Sequence, residues 1–244
     1  MKIAVLGDIH ANYQAFKSVL EDIDHQKVDK IISLGDNIGY GPEPNQVVQA
    51  LSEGQIPSVM GNHEFGLVNR RYYNFLNPTA RTSLAMNLEA LGQEEQKLLA
   101  KLPPLLIDHG ARFVHGCPPK SPTAYLFHPT PKLLAKLFNS FDERICFYGH
   151  THAITLLQAK DGICGIRNFG PGLYRLDPAS RYIINPGSVG QPRDEFNNFA
   201  KYLIWDQEES FIRVRSVPYD VKQTINKLVT AGYPEFNSQR LLLR

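Results

Sequence analysis

Apolar positions along the chain fall into short unbroken runs that alternate with stretches of helical spacing. Lys2-Ile3-Ala4-Val5-Leu6 reads as a buried strand, and Phe16, Val19, Leu20 and Ile23 then recur on one face of a helix. A second apolar run over 29–34 reads as a strand, and Val47, Val48 and Leu51 mark a short helix after it. A third strand is expected over 57–60. The middle is helical: Asn77-Pro78 opens a helix as cap and first turn, Leu84, Leu88 and Leu91 share a face, and Gly92 breaks it. A further helix over 94–102 stops at Pro103-Pro104.

From Leu105 the pattern changes to strands in sequence. Runs over 105–109 and 111–115 meet at Gly110, and Thr130-Pro131 caps a helix that ends at Phe138. A run over 145–148 reads as another strand. Runs over 155–160 and 163–169 flank Asp161-Gly162, a hairpin turn signal. Further strands are expected over 182–184, 202–205 and 211–217, with a helix over 221–231. There is no repeat, linker or break in composition. Residues 1–244 therefore read as a single α/β domain with a helical insertion at about 65–104, to which the second half adds a largely antiparallel sheet.

Bulk properties narrow the classes. With 244 residues, 43% hydrophobic and 20% charged, the chain is long enough for a sizeable core. A net charge of +2 gives no footprint for a long nucleic acid, and no apolar run approaches the ~20 residues of a membrane span. The first residues read as a strand rather than a signal peptide. Cys117, Cys146 and Cys164 are scattered and odd in number, which fits a reducing compartment, the cytoplasm.

The chemistry lies where strands end. Asp8 and His10 follow the first strand, Asp36 the second, Asn62 and His63 the third, and His115, His150 and His152 follow later ones. Five of the eight histidines are in this set. Each residue alone has a structural reading: Asn62 as a turn residue, His115 as a packed strand end. Together, oxygen and imidazole donors without thiolates suit a borderline divalent ion such as manganese, iron, zinc, nickel or cobalt. Seven donors exceed what one ion takes. Two ions sharing a carboxylate, roughly 3.5–4 Å apart, would activate a bridging water for in-line attack on phosphorus.

Gly7-Asp8-Ile9-His10, Gly35-Asp36, Gly61-Asn62-His63-Glu64, Val114-His115-Gly116 and Gly149-His150-Thr151-His152 resemble, in order and spacing, the calcineurin-like metallophosphoesterases. The loop Tyr40-Gly41-Pro42 and the stretch Asn185-Pro186-Gly187-Ser188 are similar to the small bacterial phosphodiesterase branch. The resemblance implies a two-sheet α/β/β/α sandwich and a dinuclear centre. It assigns Asp8, His10 and His152 to one ion, Asn62, His115 and His150 to the other, and Asp36 to both. His63 would protonate the leaving oxygen, and Glu64, in a place where many relatives have aspartate, would orient the His63 imidazole. The expected activity is phosphodiester hydrolysis of a small phosphate ester, with nucleotide-derived compounds among the candidates. Dinucleoside polyphosphate hydrolysis and phosphomonoester hydrolysis are the alternatives.

Gly35-Asp36-Asn37-Ile38-Gly39-Tyr40 lacks the acid and arginine that continue this motif in protein phosphatases, which argues against that branch. Asn37 and Arg193 are the candidate substrate contacts. Relatives that serve only as protein-binding scaffolds lose ligands, whereas all seven and His63 are present here. Tyr40, Tyr72, Tyr73 and Tyr125 are either rim and core aromatics or platforms for a nucleobase.

Overall fold

In the computed structural model, which describes residues 1–167 and 169–242, β1 (Lys2–Leu6) is buried on both faces. Its side chains alternate: Ile3 and Val5 face one hydrophobic layer, Ala4 and Leu6 another. The chain then runs through α1 (Tyr13–Gln26), β2 (Lys30–Ser33), α2 (Pro44–Glu53), α3 (Asn62–Val68), α4 (Arg70–Phe75), α5 (Pro78–Ala90) and α6 (Gln93–Ala100). The second half contains β3 (Leu105–Asp108), β4 (Ala111–Val114), α7 (Pro131–Phe138), β5 (Ile145–Phe147), β6 (Thr155–Lys160) and β7 (Ile163–Arg167). It continues with β8 (Gly172–Arg175), β9 (Arg181–Asn185), β10 (Ala200–Asp206), β11 (Phe211–Val217), α8 (Val221–Thr230) and α9 (Glu235–Leu242).

Two sheets form, ordered β2-β1-β10-β11-β8 and β3-β4-β5-β9-β6-β7. β1 and β2 are parallel, as are β4, β5 and β9, and the remaining pairings are antiparallel. Ile3, Val5, Phe113, Phe147, Ile184 and Trp205 fill the layer between the sheets. Outside the first sheet, Phe16, Val19 and Val47 of α1 and α2 pack on Leu6 and Tyr202. Outside the second, Leu134, Leu137 and Phe138 of α7 pack on Cys146 and Ile183. The architecture is the expected α/β/β/α sandwich. Leu84, Leu91 and Leu99 of the helical segment form a smaller cluster with Ile38 and Val48.

Asn77 and Thr130 cap α5 and α7 where the sequence places them, accepting from backbone N–H groups, and Asn12 does the same for α1. Asp161 and Gly162 both have positive φ, as a tight hairpin between β6 and β7 requires. The strand expected over 57–60 is a single parallel bridge, Ser33 to Ser58. Pro57 has no N–H to extend the ladder, and Met60 N–H instead donates to the Pro103 carbonyl. β8 and α9 carry too little periodicity to be read from sequence, and the short helices α3 and α4 are likewise not marked out before the helix that Asn77-Pro78 opens.

Candidate metal centre

The ends of β1, β2, β4 and β5 and the first turn of α3 converge. Asp8, His10, Asp36, Asn62, His63, His115, His150 and His152 are all buried. Their donor atoms form two groups, Asp8-His10-Asp36-His152 and Asp36-His115-His150, within each of which the atoms lie within 4.8 Å of one another. Asp36 belongs to both. Its Oδ2 is 3.7 Å from His10 Nε2 and 3.2 Å from His115 Nε2, and Asn62 Oδ1 is 3.2 Å from His115 Nε2. The seven residues expected to ligate are thus brought together, six of them in two groups that share Asp36, and Asn62 beside His115.

The backbone that aims these donors is strained. Asp8, His10, Asp36, His150 and His152 all have φ between 51° and 68°, a left-handed conformation costing roughly 1–3 kcal/mol each. Hydrogen bonds hold them there. Asp8 and His10 N–H groups donate to Gly35 and Asp36 carbonyls, and His150 N–H donates to both Asp8 carboxylate oxygens at 3.1 Å. From the end of β9, Asn185 Nδ2 donates to Gly149 O, and from the loop after it Ser188 Oγ donates to the Asp8 carbonyl.

Each ligand imidazole also donates its second ring nitrogen outward. Nδ1–H of His10, His115 and His152 donates to the carbonyls of Ile38, Leu34 and Gln191 at 3.1, 2.8 and 2.7 Å. Nε2–H of His150 donates to Thr123 O at 3.1 Å. Carbonyls only accept, so at His10, His150 and His152, whose pKa values burial lowers, these bonds fix the tautomer and turn a bare lone pair inward. His10 and His152 then meet Nε2 to Nε2 at 3.0 Å. Burial holds both imidazoles well below the ordinary histidine range, so neither carries a proton to share. Two facing lone pairs repel unless a cation stands between them, and this donor set fits one.

The second group has its own balance. Burial lowers His150 to about 3, and burial likewise depresses His115, but Asp36 and then Asp8 outweigh it and lift His115 to about 9. Burial pushes the Asp8 carboxyl up to about 7, against the attraction of His115. A dication held by this group would take the place of the proton that His115 keeps beside Asp36.

Two expected roles are corrected. Glu64 does not orient His63. Its Oε2 accepts Asp36 N–H and Gly61 N–H at 3.0 and 2.9 Å, and its Oε1 accepts Asn37 N–H and Asn37 Nδ2 at 2.8 and 3.3 Å. The carboxylate ties the Asp36 loop to the start of α3. His63 Nδ1 has no protein partner. Asn37 is not placed to touch substrate: it is fully buried, donates to Ser58 Oγ and Glu64, and accepts from Ser33 Oγ. Arg193 does face the centre. Its guanidinium carbon lies 5.8 Å from the Tyr40 ring centroid, and Nη2 donates to Gln191 Oε1 at 2.6 Å, while Nε is buried without a partner.

His63 is positioned by a loop instead. Tyr40 packs against both His10 and His63, at ring centroid distances of 4.7 and 4.9 Å. A Cβ on Gly39 would fall 2.0 Å from His63 Nδ1, so only glycine fits there. Two asparagines clamp this loop. Asn87 accepts from Gly39 N–H at 2.6 Å and donates to Gly41 O at 2.9 Å. Asn237 on α9 donates to Tyr40 O at 2.7 Å. Neither had a signal in the sequence, since an isolated asparagine within a helix carries no mark of a partner so far along the chain. Among the other aromatics, Tyr125 stacks on His150, whereas Tyr73 packs in the helical segment, away from the ligands. His109 sits with Lys30 and Asp108 rather than in the cluster.

A family profile described as the calcineurin-like phosphoesterase superfamily domain matches residues 1–210. An uncharacterised protein of Methanocaldococcus jannaschii is 35% identical over 248 residues, covering 99% of this chain and 97% of the other. A shorter match, 46% identical over 63 residues, covers 25% of this chain and 29% of serine/threonine-protein phosphatase 2 of Escherichia coli. Among solved structures, a metallophosphoesterase from Sphaerobacter thermophilus superposes with a TM-score of 0.83 at 32% identity, covering 99% of each chain. A hypothetical protein from Pyrococcus horikoshii OT3 gives 0.80 at 20% identity, over 98% of this chain and 97% of the other, and so bears on fold alone.

Proposed function

The chain belongs to the calcineurin-like phosphoesterase superfamily, and on that premise we propose that it is a dinuclear metal-dependent phosphodiesterase acting on a small phosphate ester. The observation that carries this reading is the pair of donor groups sharing Asp36, with imidazole lone pairs facing each other across 3.0 Å. Asp8, His10 and His152 would hold one divalent ion, Asn62, His115 and His150 the other, and Asp36 both. Ions held there supply an activated water and neutralise charge on the phosphate. Manganese, iron, zinc, nickel and cobalt all suit these donors. All 244 residues act as one catalytic unit, with the helical segment as an insertion. Three scattered free cysteines support a reducing compartment, the cytoplasm, as its location, and no helix among the described residues is long and apolar enough to cross a membrane.

The chain's own groups do the rest. His63 Nε2 lies 4.0 Å from Asp36 Oδ2, beside the centre but outside both ligand groups. Burial lowers its pKa, so it is neutral in the free protein, and a bound phosphate anion favours its protonated form. His63 Nε2–H then donates a proton to the departing ester oxygen. Arg193 offers a guanidinium whose charge reaches Asp8 and His63, and it holds a phosphate oxygen.

A second reading, removal of phosphate from phosphoserine or phosphothreonine, is favoured only by the 63-residue similarity to a protein phosphatase. The test is hydrolysis by chelated protein after single metals are restored, with a phosphodiester, a phosphomonoester, a dinucleoside polyphosphate and a phosphopeptide offered in parallel. Diester turnover that returns with a transition metal and is lost in Asp36→Ala is expected. Folded, metal-loaded protein inert to all four substrates overturns the enzymatic reading in favour of a binding scaffold.

A further inference from the structure

Tyr125 and Phe127 stand beside the metal centre with more than half of each residue in solvent, 54% and 55% exposed. They lie in the long irregular segment between β4 and α7, but this segment is fastened at close intervals. Thr123 O accepts from His150, Cys117 N–H donates to Ala124 O, and Leu126 is buried beneath α7. With Leu126 turned inward, its neighbours on either side are both turned outward. Their rings are nearly parallel, 12° apart at a centroid distance of 5.1 Å. Tyr125 also lies flat on His150, with centroids 3.7 Å apart at 23°. A ligand imidazole, a tyrosine and a phenylalanine thus form one stacked group that starts at the metal centre and ends in solvent.

Phe127, the outer ring of this stack, keeps an apolar face in water, backed by Tyr125, and such a surface at a site mouth marks where a ligand lies. The geometry is specific as well as apolar: parallel rings offer a planar partner a face on which to stack. We propose that Tyr125 and Phe127 form a subsite for the base of a nucleotide substrate, one sugar removed from the phosphate at the metal centre. The proposal rests on the phosphoesterase reading and names its substrate class. Only two rings are displayed, and the chain's net charge is +2, so a single nucleotide unit fits better than a long strand. Arg193, over Tyr40, is left for the phosphate.

The test compares ligands that differ only in the base. Adenosine 5′-monophosphate, ribose 5-phosphate and inorganic phosphate are titrated calorimetrically into manganese-loaded protein, so that the readout is affinity and not turnover. Adenosine monophosphate is expected to bind roughly 5- to 150-fold more tightly than ribose 5-phosphate. That ratio is expected to fall toward one in Phe127→Ala and in Tyr125→Ala, and to survive in Tyr125→Phe, which keeps the ring. Metal content and melting temperature establish that each variant is folded and loaded. Equal affinity for the two sugar phosphates, or a ratio untouched by both alanine substitutions, overturns the subsite while leaving the phosphoesterase reading in place. Metal-loaded protein that binds none of the three overturns both.

Discussion

Replacing Glu64 with glutamine tests how the shared ligand is held. Both Glu64 oxygens accept two donors: Asp36 and Gly61 N–H on Oε2, and Asn37 N–H and Nδ2 on Oε1. Glutamine has one accepting oxygen and one donating NH2. Whichever way the amide is turned, its NH2 faces two donors that have lost their acceptor. All these groups are buried, and an unsatisfied buried donor costs roughly 1–3 kcal/mol. Two of them give a loss of about 2–6 kcal/mol, against a typical stability of roughly 5–15 kcal/mol for a domain. At about 2–4 °C per kcal/mol for a chain of this size, the melting temperature of metal-free Glu64→Gln is expected to drop by roughly 4–24 °C. Because the Asp36 backbone is among the groups released, binding of both ions is expected to weaken together. Differential scanning calorimetry of the chelated protein, with metal analysis after reloading, reads both effects. A variant that melts like the parent, retains both ions and loses rate only on esters with poor leaving groups would show that Glu64 acts through His63 after all.

Three further outcomes follow from other contacts. His63→Ala is expected to slow hydrolysis most for esters whose leaving alcohol has a high pKa, while metal content stays full; equal slowing of good and poor leaving groups speaks against proton donation. Asn87→Ala frees Gly39 N–H, Gly41 O and the Tyr233 hydroxyl, and is expected to cost about 2–4 kcal/mol in urea unfolding and to lower kcat more than KM; unchanged kcat would separate the clamp from catalysis. Burial would raise the pKa of Asp22, but its hydrogen bonds from Arg215 and Tyr202 outweigh this and hold it below the ordinary aspartate value. A depressed folded pKa stabilises above about 4 and is lost as pH falls through the folded value. The urea midpoints of the parent and Asp22→Asn are therefore expected to converge below pH 4, and a gap constant down to pH 2.5 contradicts that assignment.

The ligands were legible because each follows an apolar run that ends at polar donors, and a strand's carboxyl end fixes where they point. Glu64 and Asn37 were misread for one reason. Each is the immediate neighbour of a functional residue, and adjacency in sequence suggests a shared site. On the first turn of a helix, successive side chains do not face each other, so Glu64 looks back at the Asp36 loop while His63 looks at the cluster of donors. Asn37 likewise turns away from Asp36 toward Ser33 and Ser58. The clamp was illegible on other grounds: Asn237 reaches Tyr40 across 197 residues, and no local pattern encodes so distant a hydrogen bond.

That distance has a consequence for how the protein is made. The loop carrying Asp8 and His10 is synthesised before the partners that hold its left-handed backbone in the folded chain. Asn12, at its end, caps α1 and accepts from Thr224 Oγ1, 212 residues later. At roughly 5–20 residues per second, the loop waits about 10–40 s for that partner. Contacts of such sequence separation also form slowly once both ends exist. Through that interval Asn12 caps α1 without the hydroxyl of Thr224 that ties it to α8. The left-handed backbone at Asp8 and His10 is thus completed late, by a contact from the far end of the chain, although its own residues are among the first made.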